Sequence, residues 1–199
     1  MEVEEILSIY DEELKEIGTA TRSKVHEKGF LHRVVHCWIV DLEAKEKWIY
    51  FQQRAFDKKD FPGLYDISAA GHVDAGEDFN IAVKREVIEE VGLNLIEEDL
   101  KLMGRVREKL KLGDFYDYES CEIYLYLVKD PEFKLGHEVE KMVKVPLEDY
   151  KNFVLGLSEN VKAFNLDSEE NIIIRKEEFC LHTKEYMKSI VKFIEESIH

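Results

Sequence analysis

Three glutamates, Glu86, Glu89 and Glu90, lie close together in a stretch with helical periodicity. At about 100° per residue they fall within one narrow arc of a helix, while Ile81, Val87, Ile88 and Val91 point the other way. The expected helix starts near Asp78, an acid at the positive end, and stops at Gly92, which can take the left-handed conformation that a helix terminus needs. Like charges one turn apart destabilise an isolated helix by a few tenths of a kcal/mol per pair, so local stability does not explain the stack. A hard divalent cation does. Carboxylate oxygens suit Mg²⁺ or Mn²⁺, which keep several waters and bridge to substrate phosphates. Taken alone, the three glutamates also fit a solvated acidic face, since charge runs are common.

The surrounding residues carry more weight. In GHVDAGEDFNIAVKREVIEEVGL, residues 71–93, the positions Gly71, Glu77, Arg85, Glu86, Val87, Glu89, Glu90, Gly92 and Leu93 fit one fixed pattern of glycine, acid, base and aliphatic. From average residue usage, a chance match at every one of them is on the order of one in a billion per window. The segment resembles the Nudix box, and the chain is identified by it as a member of the Nudix superfamily. The resemblance implies an α/β fold: an α/β/α sandwich with a mixed β-sheet and a loop-helix-loop box. It implies Mg²⁺ (or Mn²⁺) held by Glu86, Glu89 and Glu90, with Glu77 and Arg85 bracing the loop and Gly71 and Gly92 as structural positions. It also implies attack by water at a phosphorus of a small organic or nucleoside diphosphate. The physics is consistent, because a bound cation neutralises phosphate charge and lowers the pKa of a bound water, and a placed carboxylate takes the proton.

A second resemblance spans roughly residues 22–128. RSKVHEKGFLHRVVHCWI, QQRAFDKKDFPGLYDISAAGHVDAGE and ESCEIYLYLV are similar to the branch that includes isopentenyl-diphosphate isomerase. It implies a metal held by histidines and a glutamate at His26, His32, His72 and Glu122, and contacts to a diphosphate from Arg54 and Lys58. The isomerase needs a cysteine just before its Gly-His pair. Here that position is Ala70, which has no proton to give or accept. Hydrolysis is therefore the preferred reading, with Glu89, Glu90 and Glu122 as candidate catalytic carboxylates and His72 as a further metal ligand. Isomerisation is the first alternative. A domain that binds a nucleotide or sugar diphosphate without turning it over is the second; its mark would be a lost box residue, and none is lost.

Several of these side chains have plainer alternatives. His32 and His36 share a strand face, and at least one is expected to be structural. Arg54 and Lys58 fit a surface pair as well as a clamp, and Glu122 fits an exposed edge residue. Tyr65, Phe115, Tyr116 and Tyr118 are read as packing in preference to pocket lining.

The elements that must position these groups can be read in outline. Residues 30–41 and 47–54 are rich in β-branched and aromatic residues and flank a polar turn, which predicts two strands. Further strands are expected near 100–108, at 121–128 and near 139–145, with helices at 78–91 and 184–197. The stripe Tyr186, Ile190, Phe193, Ile194 and Ile198 is expected to be core. One Nudix domain is expected over 1–199, with extensions over about 1–28 and, helical in character, about 147–199.

The 199 residues hold 28 Lys+Arg against 43 Asp+Glu, a formal net charge of −15. That disfavours nucleic acid as a partner but not a small diphosphate carried with a divalent metal. Cys37, Cys121 and Cys180 lack metal-ligand spacing and read as buried free thiols in a reducing compartment. The acidic opening segment is unlike a secretory signal and no apolar run reaches the roughly 18 residues of a membrane span. A cytoplasmic enzyme without a membrane partner is expected, with a homodimer as the default assembly.

Overall fold

The computed structural model describes residues 4–113, 115–168 and 170–198. Its elements in chain order are β1 (Ile6–Tyr10), β2 (Glu16–Thr21), α1 (Arg22–Lys28), β3 (Leu31–Asp41), β4 (Trp48–Arg54), β5 (Tyr65–Asp66), β6 (Ala69–His72), α2 (Phe79–Val91), β7 (Leu100–Leu112), β8 (Phe115–Leu127), β9 (Val139–Pro146), α3 (Leu147–Val154), β10 (Asn160–Asn165), β11 (Asn171–Arg175) and α4 (Lys184–Glu196).

The strands form one mixed sheet in which β3 is the hub. It pairs antiparallel with β1, β4 and β6, and in parallel with β8, with Val35 opposite Glu122. Alternation along β3 explains why it reads as almost continuously apolar: both of its faces are covered. Val34, Trp38 and Val40 share a cluster with Tyr150 of α3 and with Tyr186, Ile190 and Ile194 of α4. Val35, Cys37 and Ile39 share another with Ala82, Val83, Val87 and Val91 of α2. The result is a helix–sheet–helix sandwich, as expected. Among the described residues no helix is long and apolar enough to cross a membrane.

Three expectations are corrected. First, the carboxylates of α2 do not oppose its core face. Ile81 and Ile88 are 60 % and 49 % exposed, whereas Glu90 is 4 % exposed and lies on the same side as the buried Phe79, Ala82, Val83 and Val87. Periodicity fixes which residues share an arc but not which arc meets the sheet, and here Glu86 and Glu90 point inward over β6 while Glu89 stays exposed. Second, the region after 147 is not wholly helical, because β10 and β11 extend the sheet beyond β9. Third, the region before 28 is more than an extension: β1 and β2 continue the sheet past β3, and α1 packs against β8 and presents the buried His26. The ends of α2 are as read, with the Asp78 side chain accepting from Asn80 N and Gly92 at φ 69°.

Candidate active site and metal centre

The tight geometry of β6 begins the site. Gly71 pairs with Val35 and lies against Glu86, so that a methyl group at position 71 would overlap the Glu86 carboxyl. Beside it, Glu90 Oε2 accepts from Ala70 N and from Gln52 Nε2, both at 2.9 Å. The strand thus supplies a backbone donor and a close approach that only glycine permits, and the helix supplies two inward carboxylates. Arg85 holds the loop between β6 and α2: it donates to both oxygens of Glu77 at 3.0 and 2.8 Å and to the His72 carbonyl at 3.0 Å. Its Nη1 also reaches Glu86 at 2.7 Å and Glu89 at 3.2 Å.

Glu86 and Glu90 line a cavity whose other walls include Arg54, Lys58, His72, Asp117, Glu119 and His182. Burial pushes the Glu90 carboxyl up to about 8, with the neighbouring Glu86 adding to it, and burial pushes Glu86 up to about 7 although Arg85 opposes it. Two neighbouring carboxyls in a low-polarity wall are favoured as anions by a cation beside them, and Arg85 supplies only part of that charge, at Glu86.

A second group lies along the same cavity. His26, His32 and His72 have ring centroids 5.2–5.3 Å apart and could hold one ion between them. Asp117 Oδ1 lies 3.6 Å from Nε2 of both His26 and His32. His32 Nε2 and Asp117 Oδ1 are buried and have no hydrogen-bond partner. Burial depresses His32 well below its usual range and His26 to about 3, so both rings are neutral and offer lone pairs. Orphaned buried nitrogen and oxygen atoms facing one point are what a divalent cation satisfies, so the donor set fits a metal.

Residues 30–164 match the NUDIX domain. The chain belongs to the Nudix hydrolase family. It is 34 % identical over 199 residues to an uncharacterised Nudix hydrolase of Clostridium acetobutylicum, covering 95 % of this chain and 96 % of that one. It is 27 % identical over 148 residues to isopentenyl-diphosphate Δ-isomerase 1 of Photorhabdus laumondii, covering 73 % of this chain and 82 % of the relative. Among solved structures, the MutT protein of Methanosarcina mazei matches with a TM-score of 0.56 and 18 % identity over 84 % of this chain and 95 % of that one, a likeness of fold.

Within this Nudix domain the sequence-predicted residues do not all converge. Glu86, Glu90, His72, Arg54 and Lys58 line the cavity. Glu89 is outside it: its side chain is 60 % exposed and turned to Arg85. Glu122 is neither an edge residue nor part of the histidine group. It sits mid-strand in β8, buried, and its carboxylate is engaged by Arg105 and Tyr124. The carboxylates beside the histidines are instead Asp117 and Glu119. Sequence reading missed them because it began the strand at 121, whereas β8 begins at Phe115 and its alternation carries both acids to one face. The clamp residues are also less free than supposed, since Arg54 bonds Asp66 at 3.3 Å and Lys58 pairs with Glu138 at 2.6 Å. Of the four aromatics, Phe115 alone lines the cavity, against His26 at 4.7 Å; Tyr65 packs on Phe179. Cys180 and His182, on the segment before α4, had no readable signal.

Proposed function

We propose that this Nudix protein hydrolyses a diphosphate linkage in a small organic or nucleoside diphosphate with Mg²⁺ or Mn²⁺. The observation that supports it most is the complete box folded so that Gly71 admits Glu86, and Glu90 stands beside it, in a cavity that also contains Arg54. Glu86 and Glu90, with Glu89 at the rim, are the assigned holders of the box cation. His26, His32 and His72, with Asp117 beside the first two, are the assigned holders of a second cation. Such a cation supplies charge neutralisation at the bridging oxygens and a more acidic water. Arg54 and Lys58 face the diphosphate oxygens, and for Lys58 this means exchanging Glu138 for substrate. Glu90 receives both its protein hydrogen bonds at Oε2, which leaves Oε1 as the proton acceptor for the attacking water. Glu122, neutralised by Arg105, takes no assigned part.

One observation favours a second reading, isomerisation at carbon: the histidine group and Glu119 adjoin Ala70 in the same cavity, and an isomerase is among the relatives. Ala70 has no transferable proton, which keeps this reading second. Combined proton and phosphorus NMR with Mg²⁺ and a panel of nucleoside-linked diphosphates, thiamine diphosphate and isopentenyl diphosphate separates the two. New phosphate resonances that vanish with Glu90→Gln are the expected result. A shifted double bond with the diphosphate intact would overturn it.

A further inference from the structure

From the Arg54 wall of the cavity toward α4 runs a row of buried charges to which the hydrolysis assigns no step. Glu108, on β7, is 1 % exposed. Its Oε2 lies 2.8 Å from Nδ1 of His182, while its Oε1 accepts from the backbone N and the hydroxyl of Thr183 at 2.8 and 2.9 Å. The other ring nitrogen of His182 faces Asp66 Oδ1 at 3.5 Å. Asp66 Oδ2 in turn accepts from Arg54 Nη1 at 3.3 Å. A carboxylate at each nitrogen calls for a proton on both, so the row alternates in sign: Glu108, His182, Asp66, Arg54.

Buried ion pairs are costly to desolvate, and apolar replacements of the same volume are often as stable, so folding alone is a weak reason for this row. Its two ends indicate what it does. At one end, Thr183 caps α4 through its side chain, so Glu108 fixes His182 to the start of that helix. At the other end, the Nε and Nη2 of Arg54 donate to the Asp60 carbonyl at 3.2 and 3.1 Å, and Asp66 takes Nη1. Asp66 is therefore the one side chain that orients this guanidinium among the described residues, and its far oxygen lies between the Ile67 N–H, which donates to it at 2.9 Å, and the His182 ring at 3.5 Å, the only charged side chain facing it among the described residues.

We propose that His182 is a positioning residue for diphosphate binding: clamped by Glu108 and Thr183 at the start of α4, it sets Asp66, and through Asp66 it aims Arg54 into the cavity. The inference rests on the reading of Arg54 as a diphosphate contact. It makes the segment before α4, which also forms part of the cavity wall, a support for the diphosphate contact made by Arg54.

The test is a double-mutant cycle on the full-length protein, with the binding of methylenediphosphonate and Mg²⁺ measured by calorimetry. His182→Gln and Arg54→Ala are each expected to weaken binding by roughly 10-fold, the scale of one hydrogen bond to a charged group. The double variant is expected to bind no worse than Arg54→Ala alone, because contacts acting in series are not additive. For the substrate identified by turnover, His182→Gln is expected to raise KM and leave kcat within about 2-fold, as loss of uniform binding does. An equal loss from His182→Gln in both backgrounds, or none in either, overturns the relay and leaves the role of Arg54 standing. Absence of binding by the unmodified protein, or an Arg54→Ala variant that binds as it does, overturns the diphosphate reading and the relay with it. Should His182→Gln not fold, Asp66→Asn completes the same cycle, since it leaves Glu108 and Thr183 in place.

Discussion

At the scale of single residues, activity and stability separate. Gly71 has no room for a side chain, but what it meets is the flexible end of Glu86 and not backbone. Gly71→Ala is therefore expected to fold with a thermal midpoint near that of the parent while displacing the Glu86 carboxylate. A displacement of about 1 Å at reacting groups costs on the order of 100-fold in rate, and kcat/KM with Mg²⁺ in excess measures it. An unchanged kcat/KM would remove Glu86 from the assigned cation site. Arg85→Lys is the complementary case. Lysine keeps the charge but cannot span both oxygens of Glu77 and the His72 carbonyl, so a loss of roughly 10-fold or more in kcat/KM is expected without inversion of the charge balance.

At the scale of elements, α4 is tied to the sheet by more than its apolar stripe. The Tyr186 hydroxyl accepts from Trp38 Nε1 at 3.0 Å and lies 2.8 Å from His36 Nδ1, with all three side chains buried. Tyr186→Phe strands both partners, which is expected to cost about 1–3 kcal/mol, read as a lower denaturation midpoint at constant m-value. This tie also marks the limit of what the sequence discloses. The box, the ends of α2 and the strands at 31–41 and 48–54 were legible because their determinants are local: fixed spacing, a glycine terminus, runs of β-branched residues. The stripe of α4 was legible as core for the same reason. The partnership of His36 with Tyr186, of His26 and His32 with Asp117, and of His182 with Asp66 was not, since each joins residues from distant elements and depends on how strands order themselves in the sheet. Glu122 shows the same limit from the other side: its type and strand position fit a ligand, and only the approach of Arg105 and Tyr124 shows it otherwise engaged.

At the scale of the whole molecule, the region after 147 belongs to the core and to the site. Tyr186, Ile190, Val191 and Ile194 are each at most 6 % exposed, and burial of such side chains is worth roughly 1.5–3 kcal/mol apiece. Their sum is comparable with the whole stability of an ordinary domain, so a chain ending at 179 is expected to lose cooperative unfolding, as judged by calorimetry. The ionic row behind Arg54 gives the molecule a pH signature. Burial alone would lower the His182 pKa, but the carboxylates of Asp66 and Glu108, one at each ring nitrogen, outweigh it and raise the pKa to about 10. A raised folded-state value means stability fully present below the ordinary histidine pKa of about 6.5 and lost as pH climbs through about 10. Burial raises Asp66 and Glu108, but His182 pulls both net below their ordinary values, so their contribution is present above the ordinary carboxylate range and lost as pH falls below it. Denaturation midpoints measured from pH 6 to 10 are expected to decline for the parent and to run flatter for His182→Gln.

The parallel pairing of β3 with β8 also governs how the chain reaches this state. Every register contact between them, from Leu31 with Tyr118 to Val40 with Leu127, closes a long loop that contains β4, β6 and the whole box. Loop-closure entropy must be met before those contacts return anything, so acquisition of the native sheet is a late and slow event compared with a helical protein of the same length. During synthesis the apolar β3 waits for β8 to emerge, with an unpaired edge exposed meanwhile, and it is in that interval that the nascent chain is most prone to aggregate.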